Sequence, residues 1–257
     1  VARKSGKSDK IPNLKQMPSA TGLANRGKGL PRRLFKAVIG FGVVVVLAFL
    51  ILPLIYALPF VRPVSTLMAY DQLTGQPVQR EWRSIGDMAP ALAHSVIMSE
   101  DGQFCRHRGV DWGELKAVID DAMDGETPRG ASTITMQLAK NLLLWPSRSV
   151  LRKAVEIPLA VYLDLVLSKK RLMEIYLNVV EWGPGVYGAA AAAQYHFGTD
   201  AAKLTRRQAA YLAVTLPNPI ARTPAKPTKG LSRLARLIEE RARKAGGHVE
   251  CLGSDKA

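Results

Sequence analysis

The sequence predicts a mainly α chain with a single membrane-spanning helix near its N-terminus. From Ala37 to Val61 no residue is charged. At about 1.5 Å of rise per residue, such a run is long enough to cross a hydrocarbon core of about 30 Å. Beyond residue 90, apolar residues recur at helical spacing in segment after segment. Strand-like stretches are confined to Thr66–Tyr70 and Val78–Trp82, inside a segment rich in Pro and Gly.

The charge is uneven. The 257 residues carry a formal charge of +15, from 36 basic and 21 acidic side chains. Residues 1–36 hold ten Lys/Arg against one acid, Asp9. Residues 1–35 read as a disordered basic tail, because they have too little apolar content to pack. Residues 36–60 read as an uncleaved anchor, with Pro53 and Pro59 marking its far end. A cleaved signal would have a shorter apolar core and a small-residue cleavage site, which Pro59-Phe60-Val61-Arg62 does not supply. The upstream cations place the N-terminus in the cytoplasm and the chain beyond residue 61 on the exported side. Nucleic acid is then excluded as a partner, since topology accounts for the basic tail. Cys105 and Cys251 lack CxxC or zinc-like spacing and only four His are present, so no metal site of Cys and His is expected. A disulfide and two free thiols both remain open.

Residues 61–90 read as a juxtamembrane linker. A helix from Ala91, with Leu92, Val96 and Ile97 inward, ends near Asp101-Gly102 and carries Glu100 in its last turn. The helix dipole disfavours a carboxylate there and raises its pKa. The mixed cluster of Glu100, Asp101, Arg106, His107 and Asp111 beside Phe104 and Trp112 reads either as a polar turn tied by ion pairs or as a general base with its supports. Trp112 to Met123 is a second helix, with Leu115, Val118 and Ile119 inward. Further helices are expected to about Ser168, with a kink at Pro158, then over Arg171–Val180, from Ala189, over Leu204–Leu216, and finally around Leu231, Leu234 and Ile238. Glu181–Gly188 reads as a turn-rich loop, and residues 246–257 as a flexible tail.

The stretch Gly130–Glu156 organises the rest. Ser132 is read as the N-cap of a helix with Ile134, Leu138 and Leu142 on its apolar stripe. Gln137, Lys140 and Asn141 share a different, polar face. Trp145-Pro146-Ser147 breaks the helix, and Ser147 or Ser149 caps the next. On that helix Arg148, Arg152 and Glu156 recur every four residues, with Lys153 one step aside. Cations on two helix segments around a short break suit a multiply charged anion such as a diphosphate. A solvated basic face with ion pairs such as Arg152 with Glu156 is the competing reading. Phe60 and Val61, and with them Leu142–Trp145, read as membrane-dipping residues or as core.

Taken together, these segments resemble the monofunctional biosynthetic peptidoglycan glycosyltransferases, a lysozyme-like family. The resemblance covers about Ser95–Pro224. Its motifs occur in the family's order: Glu100-Asp101 with Phe104, His107 and Gly109; Gly130–Thr135 with Gln137, Lys140, Asn141 and Leu142; Arg152-Lys153 with Glu156; and Ser168-Lys169 with Glu174, Tyr176–Asn178 and Gly183. Ala131 and Met136 stand where many members have Gly and Gln. The implied fold is a lysozyme-like all-helical glycosyltransferase domain over 91–245, behind the anchor.

The resemblance implies that lipid II is polymerised into glycan strands with release of polyprenyl diphosphate. Glu100 and Glu156 are its catalytic carboxylates, Glu100 as general base and Glu156 near the donor diphosphate. Lys140, Arg148, Arg152 and Lys153 would bind that diphosphate, with Gln137, Ser132 and Thr133 on sugar or phosphate oxygens. Asp101, Phe104, His107, Asn141 and Asn178 would support the site, Asp101 and His107 by holding the Glu100 loop and Asn178 by fixing the turn before Glu181. The sequence itself requires no cofactor; a divalent cation, Mg²⁺ or Mn²⁺, shares this work in some relatives. The implied partners are lipid II, the polyprenyl-diphosphate-linked glycan, the membrane and other cell-wall synthesis proteins. The implied location is a bacterial inner membrane, single-pass, with a periplasmic catalytic domain. Two rivals are a lytic muramidase, which has no diphosphate to hold, and a non-catalytic scaffold, against which the intact Glu100 and Glu156 weigh. A bifunctional enzyme is not expected, since no Ser-x-x-Lys occurs.

Overall fold

In the computed structural model of the protein, residues 32–125, 130–145 and 149–253 are described. They fall in two units, Val1–Val45 and Val46–Ala257. Helix α1, Arg32–Tyr56, begins in the first and is 25 residues long, enough to cross a membrane by length and composition. It starts at Arg32 rather than residue 36, so Arg32, Arg33 and Lys36 sit in its first turns. Arg and Lys are good helix formers whose long stems keep the charge in water, which lets the helix run past the apolar boundary. Phe41, Val44 and Leu47 are exposed along it, as lipid-facing residues would be. Pro53 lies inside the helix and does not end it.

Within the second unit, the C-terminal end of α1 is tied down by side chains from two later helices. Tyr162 Oη donates to Leu50 O at 2.7 Å. Arg171 donates to Tyr56 O and Leu58 O, each at 2.9 Å, and to Val61 O. Tyr56 O is one of the last carbonyls of α1, which a helix end leaves without an intrahelical partner.

The segment read as linker is ordered. Thr66–Tyr70 is not a strand but part of helix α2, Thr66–Leu73. The physical reason is local: Ser65 Oγ accepts from Met68 N at 3.1 Å and so caps the helix, while Met68 is buried. Strand β1, Gln79–Arg80, falls within the predicted Val78–Trp82.

Helix α3, Pro90–Glu100, has Pro at its first turn and buries Leu92, Val96 and Ile97. Helix α4, Trp112–Met123, has the predicted span, but none of its residues is fully buried and Ile119 is exposed. Helices α5, Ile134–Leu143, and α6, Val150–Val166, flank the predicted break, and Ser149 caps α6 by accepting from Arg152 N at 3.1 Å. Pro158 is inside α6 without ending it. Helix α7, Lys169–Val179, is capped by Ser168.

Glu181–Gly188 is not simply a loop. It forms β2, Glu181–Gly183, and β3, Val186–Tyr187, in a small sheet of order β1-β3-β2. β1 pairs parallel with β3, Gln79 opposite Val186, and β2 pairs antiparallel through a bulge. Gly185 has φ +69°, and a Cβ there would lie 2.3 Å from Pro77 O, so the turn requires glycine. The missed strands are only two and three residues long, and the parallel partner of β3, β1, lies far upstream, so no periodicity reveals them.

Helix α8, Ala189–Phe197, packs its alanines into the core. Helix α9, Arg206–Thr215, opens on a Thr205–Gln208 capping box. Helix α10, Lys229–Arg243, buries Leu231, Ala235 and Ile238; Leu234, expected inward, is 38% exposed. α3 packs against α9 and α10, and α5 against α6 and α7, which makes two sides of the domain meet at the α3–α5 connection.

The C-terminal segment is not a loose tail over its described part. Short turns at Gly246–His248 and Glu250–Leu252 bury Leu252, and Cys251 is disulfide-bonded to Cys105. His248 Nδ1 adds a 2.7 Å bond to Gly102 O. Both contacts land on the loop after Glu100. Replacing both cysteines by serine is expected to cost about 2–4 kcal/mol in a denaturant melt of the detergent-solubilised chain. In the wild type, neither thiol should be alkylated before reduction.

Candidate active site

Glu100 is the last residue of α3, and the chain leaves the helix in an extended conformation at Asp101, with φ −162°. Gln137 Nε2 on α5 donates to Glu100 Oε2 at 3.1 Å. Burial pushes the Glu100 carboxyl above its ordinary value, and the neighbouring Asp101 charge adds to this. Gln137, Ser99 and the Arg222 charge oppose the rise. The net direction suits a group that takes a proton near neutral pH.

Asp101 is the anchor of this corner. It is buried, accepts from Ile134 N at 2.9 Å at the start of α5, and receives His107 Nε2 at 2.9 Å. A carboxylate at a helix N-terminus satisfies an orphan N–H and favours the dipole. The returning loop is held further by Lys169, whose ammonium donates to His107 O at 2.8 Å, pairs with Asp164 and lies 4.7 Å over the Phe104 ring. At Gly109, φ is +81° and a Cβ would lie 2.4 Å from Ala160 O, so no other residue fits between this loop and α6. Asp101, His107 and Phe104 thus all make their contacts within the loop that follows Glu100 or against it.

The start of α5 differs from the prediction. Its N-cap is Thr133, not Ser132: Thr133 Oγ1 accepts from Met136 N at 3.1 Å and donates to Gly109 O at 2.6 Å. Thr133 lines the cleft and is buried, and its hydroxyl both donates and accepts within the protein, which fixes the backbone here. Ser132, freed from capping, accepts from Lys153 Nζ at 2.6 Å. Gln137 is likewise engaged at both ends, since Tyr176 Oη donates to its Oε1 at 2.8 Å. It serves Glu100 rather than a substrate oxygen.

The cations gather on the far side of Ser132. Lys153 Nζ also reaches Glu156 Oε2 at 3.1 Å, and Arg152 pairs with Glu156 Oε1. Burial first, then the Arg152 and Lys140 charges, push Lys153 below the ordinary lysine value, which places Lys140, Arg152 and Lys153 within electrostatic reach of one another. Glu156 is 3% exposed. Its position is that of a buried counter-ion setting the stance of Arg152 and Lys153, since it does not line the Glu100 cleft. Arg148 lies outside the described residues. Asn141 contributes its carbonyl, which accepts from Thr66 Oγ1 at 3.2 Å. Asn178 is fully buried and clamps the segment at Arg83, accepting from Arg83 N at 2.9 Å and donating to Arg83 O at 2.8 Å, so it holds the start of the domain rather than the turn before Glu181. Leu142 and Leu144 are core, whereas Trp145 is 47% exposed.

A cleft of roughly 200 Å³ joins these parts, with Ser99, Glu100 and Gly102 on one wall and Gly130, Ala131 and Ser132 on the other. One hydrogen bond, Lys153 to Ser132, links it to the cation cluster. Among the described residues no group of three or more His, Cys, Asp and Glu gathers as a metal site. Beside the cations, Glu156 is already spent on Arg152 and Lys153.

The transglycosylase family model matches residues 67–243. The chain belongs to the transglycosylase family. Proteins named biosynthetic peptidoglycan transglycosylase are 60% identical to it: one from Mesorhizobium japonicum over 90% of this chain and 100% of that protein, one from Agrobacterium fabrum over 80% and 91%, and one from Brucella suis over 82% and 95%. The family match begins inside the segment read as linker, where α2 lies. Tyr176, Lys169 and Arg222 are the site residues that sequence reasoning did not single out. Tyr176 and Lys169 lie within quoted motifs, but only the fold brings them to Gln137 and His107.

Inorganic pyrophosphate titrated calorimetrically into the solubilised chain is expected to bind about tenfold more weakly to Lys153→Met, the loss of one charge-assisted contact. Equal affinity would remove Lys153 from the anion site.

Proposed function

We infer that the chain is a peptidoglycan glycosyltransferase that extends glycan strands from lipid II. The observation that carries the mechanism is the Glu100 cleft whose opposite wall, Ser132, is bonded to Lys153 of the cation cluster. The base thus faces a wall that is hydrogen-bonded to the anion site behind it.

The acceptor is a lipid II sugar with a free C4 hydroxyl, and the donor is a glycan on a polyprenyl diphosphate. The hydroxyl oxygen forms a bond to donor C1 as the bond from C1 to the diphosphate oxygen breaks. Glu100 takes the hydroxyl proton. The diphosphate leaves with the bonding electron pair, and Lys140, Arg152 and Lys153 meet the charge it gathers. Cations already fixed in place stabilise that charge without reorganising. Glu156 keeps two of them from repelling one another.

The apolar α1 is the anchor in this reading, with the basic residues before it in the cytoplasm and the catalytic domain outside the inner membrane. Substrate and enzyme then meet in two dimensions, which raises their effective concentration.

Glu100→Gln is expected to lower lipid II polymerisation by about 10²–10⁴-fold, the range for a general base. Its fold should be no less stable at neutral pH. Burial raises the folded pKa, so an ionised Glu100 costs stability once pH exceeds the unfolded value, and a neutral amide removes that cost. In the wild type, kcat/KM should fall as pH drops through a value above the ordinary carboxylate range. Release of soluble sugar from peptidoglycan sacculi, with no polymer from lipid II, would instead identify a muramidase.

A further inference from the structure

Gln137 stands between two groups with different hydrogen-bonding abilities. Its Nε2 donates to Glu100 Oε2 at 3.1 Å, and its Oε1 receives the Tyr176 hydroxyl at 2.8 Å. A carboxylate only accepts, whereas a carboxylic acid also donates. An amide turned with its NH2 towards Glu100 therefore favours the carboxylate, and one turned with its oxygen towards Glu100 favours the acid. Tyr176 decides between the two orientations. Its ring is fully buried on α7, and among the described residues its hydroxyl has no other hydrogen-bond partner. If the amide turned over, the Tyr176 O–H would be left buried with nothing to accept it, which is costly.

We propose that Tyr176 is a positioning residue for Glu100, acting through the Gln137 amide, whose NH2 it holds towards the carboxylate. The inference rests on Glu100 being the base and adds the group that keeps it in its proton-accepting form. Burial, with the Glu100 and Asp101 charges, raises the Tyr176 phenol well above its ordinary value, so it remains a donor throughout the working range. The other charges facing Glu100 are Asp101 beside it and Arg222 from the segment after α9, with Asp111 and Glu114 across the cleft. None of these bonds to the Gln137 amide.

The test uses the full chain in detergent, with the Glu100 carboxyl followed by ¹³C NMR as pH is varied and polymerisation of lipid II measured alongside. In Tyr176→Phe the Glu100 midpoint is expected to rise by about half to one pH unit, the worth of one ordinary hydrogen bond. The acid limb of kcat/KM should rise with it, while the high-pH plateau falls only a few fold. Gln137→Met should raise the midpoint at least as far, and adding Tyr176→Phe to it should move the midpoint no further, since the relay is already cut. A midpoint unmoved in Tyr176→Phe, or a further rise in the double variant, would overturn the proposal. Should Tyr176→Phe fail to fold, an unmoved midpoint in Gln137→Met does the same. A midpoint that moves without the acid limb following would leave the relay standing and instead refute Glu100 as the base.

Discussion

Asp101 lies one residue beyond the end of α3 and one hydrogen bond from the start of α5. Through that carboxylate the helix that carries Glu100 and the helix that carries Gln137 and Lys140 share a corner. The same carboxylate receives His107, so the loop between them is drawn back onto the corner. Removing Asp101 would leave the Ile134 N–H and the His107 ring without it in a buried place, a cost of about 1–3 kcal/mol for each unsatisfied group. Lys169, Gly109 and the Cys105–Cys251 link add to the hold from three further directions.

The chemistry makes two opposed electrostatic demands. A departing diphosphate needs cations, but a bare cation 4 Å from Glu100 would favour its charged form by about 4 kcal/mol at an effective dielectric of about 20, roughly three pKa units. The base would then be too weak to take a proton. The structure answers by giving Glu100 a neutral partner, Gln137, and by giving Arg152 and Lys153 a buried counter-ion of their own, Glu156. Ser132, uncharged, is the hinge between the two zones. Arg222 is the cation whose charge does reach Glu100, and burial outweighs it.

Rigidity is distributed unevenly to match. The Glu100 side is locked by α3 packing on α9 and α10 and by the C-terminal segment bonded to Cys105 and Gly102. By contrast α4, which comes directly after the locked loop, buries none of its residues fully. A base needs sub-ångström placement, whereas the neighbouring wall of the cleft must admit a glycan.

Much of the helical fold was legible in the chain. The α3, α4, α5, α6 and α7 spans follow from apolar spacing, which repeats over ten or more residues, and the starts of α6 and α7 from local Ser caps. Arg152 and Glu156 could be chosen because four-residue spacing on a helix places side chains on one face, Lys140 because it shares a polar face with Gln137 and Asn141, and Glu100 because it ends a helix beside a mixed polar cluster. What spacing cannot express is contact between distant segments. Only tertiary packing decided that Thr133 rather than Ser132 caps α5, since Gly109 O, 24 positions upstream, engages its hydroxyl. The same holds for the two- and three-residue strands, for Cys251 meeting Cys105 from 146 residues away, and for Tyr176 reaching Gln137. The sequence alone determined which charges and helices exist; the fold determined which of them touch, because a hydrogen bond or disulfide depends on ångström-scale approach that only the packed core imposes.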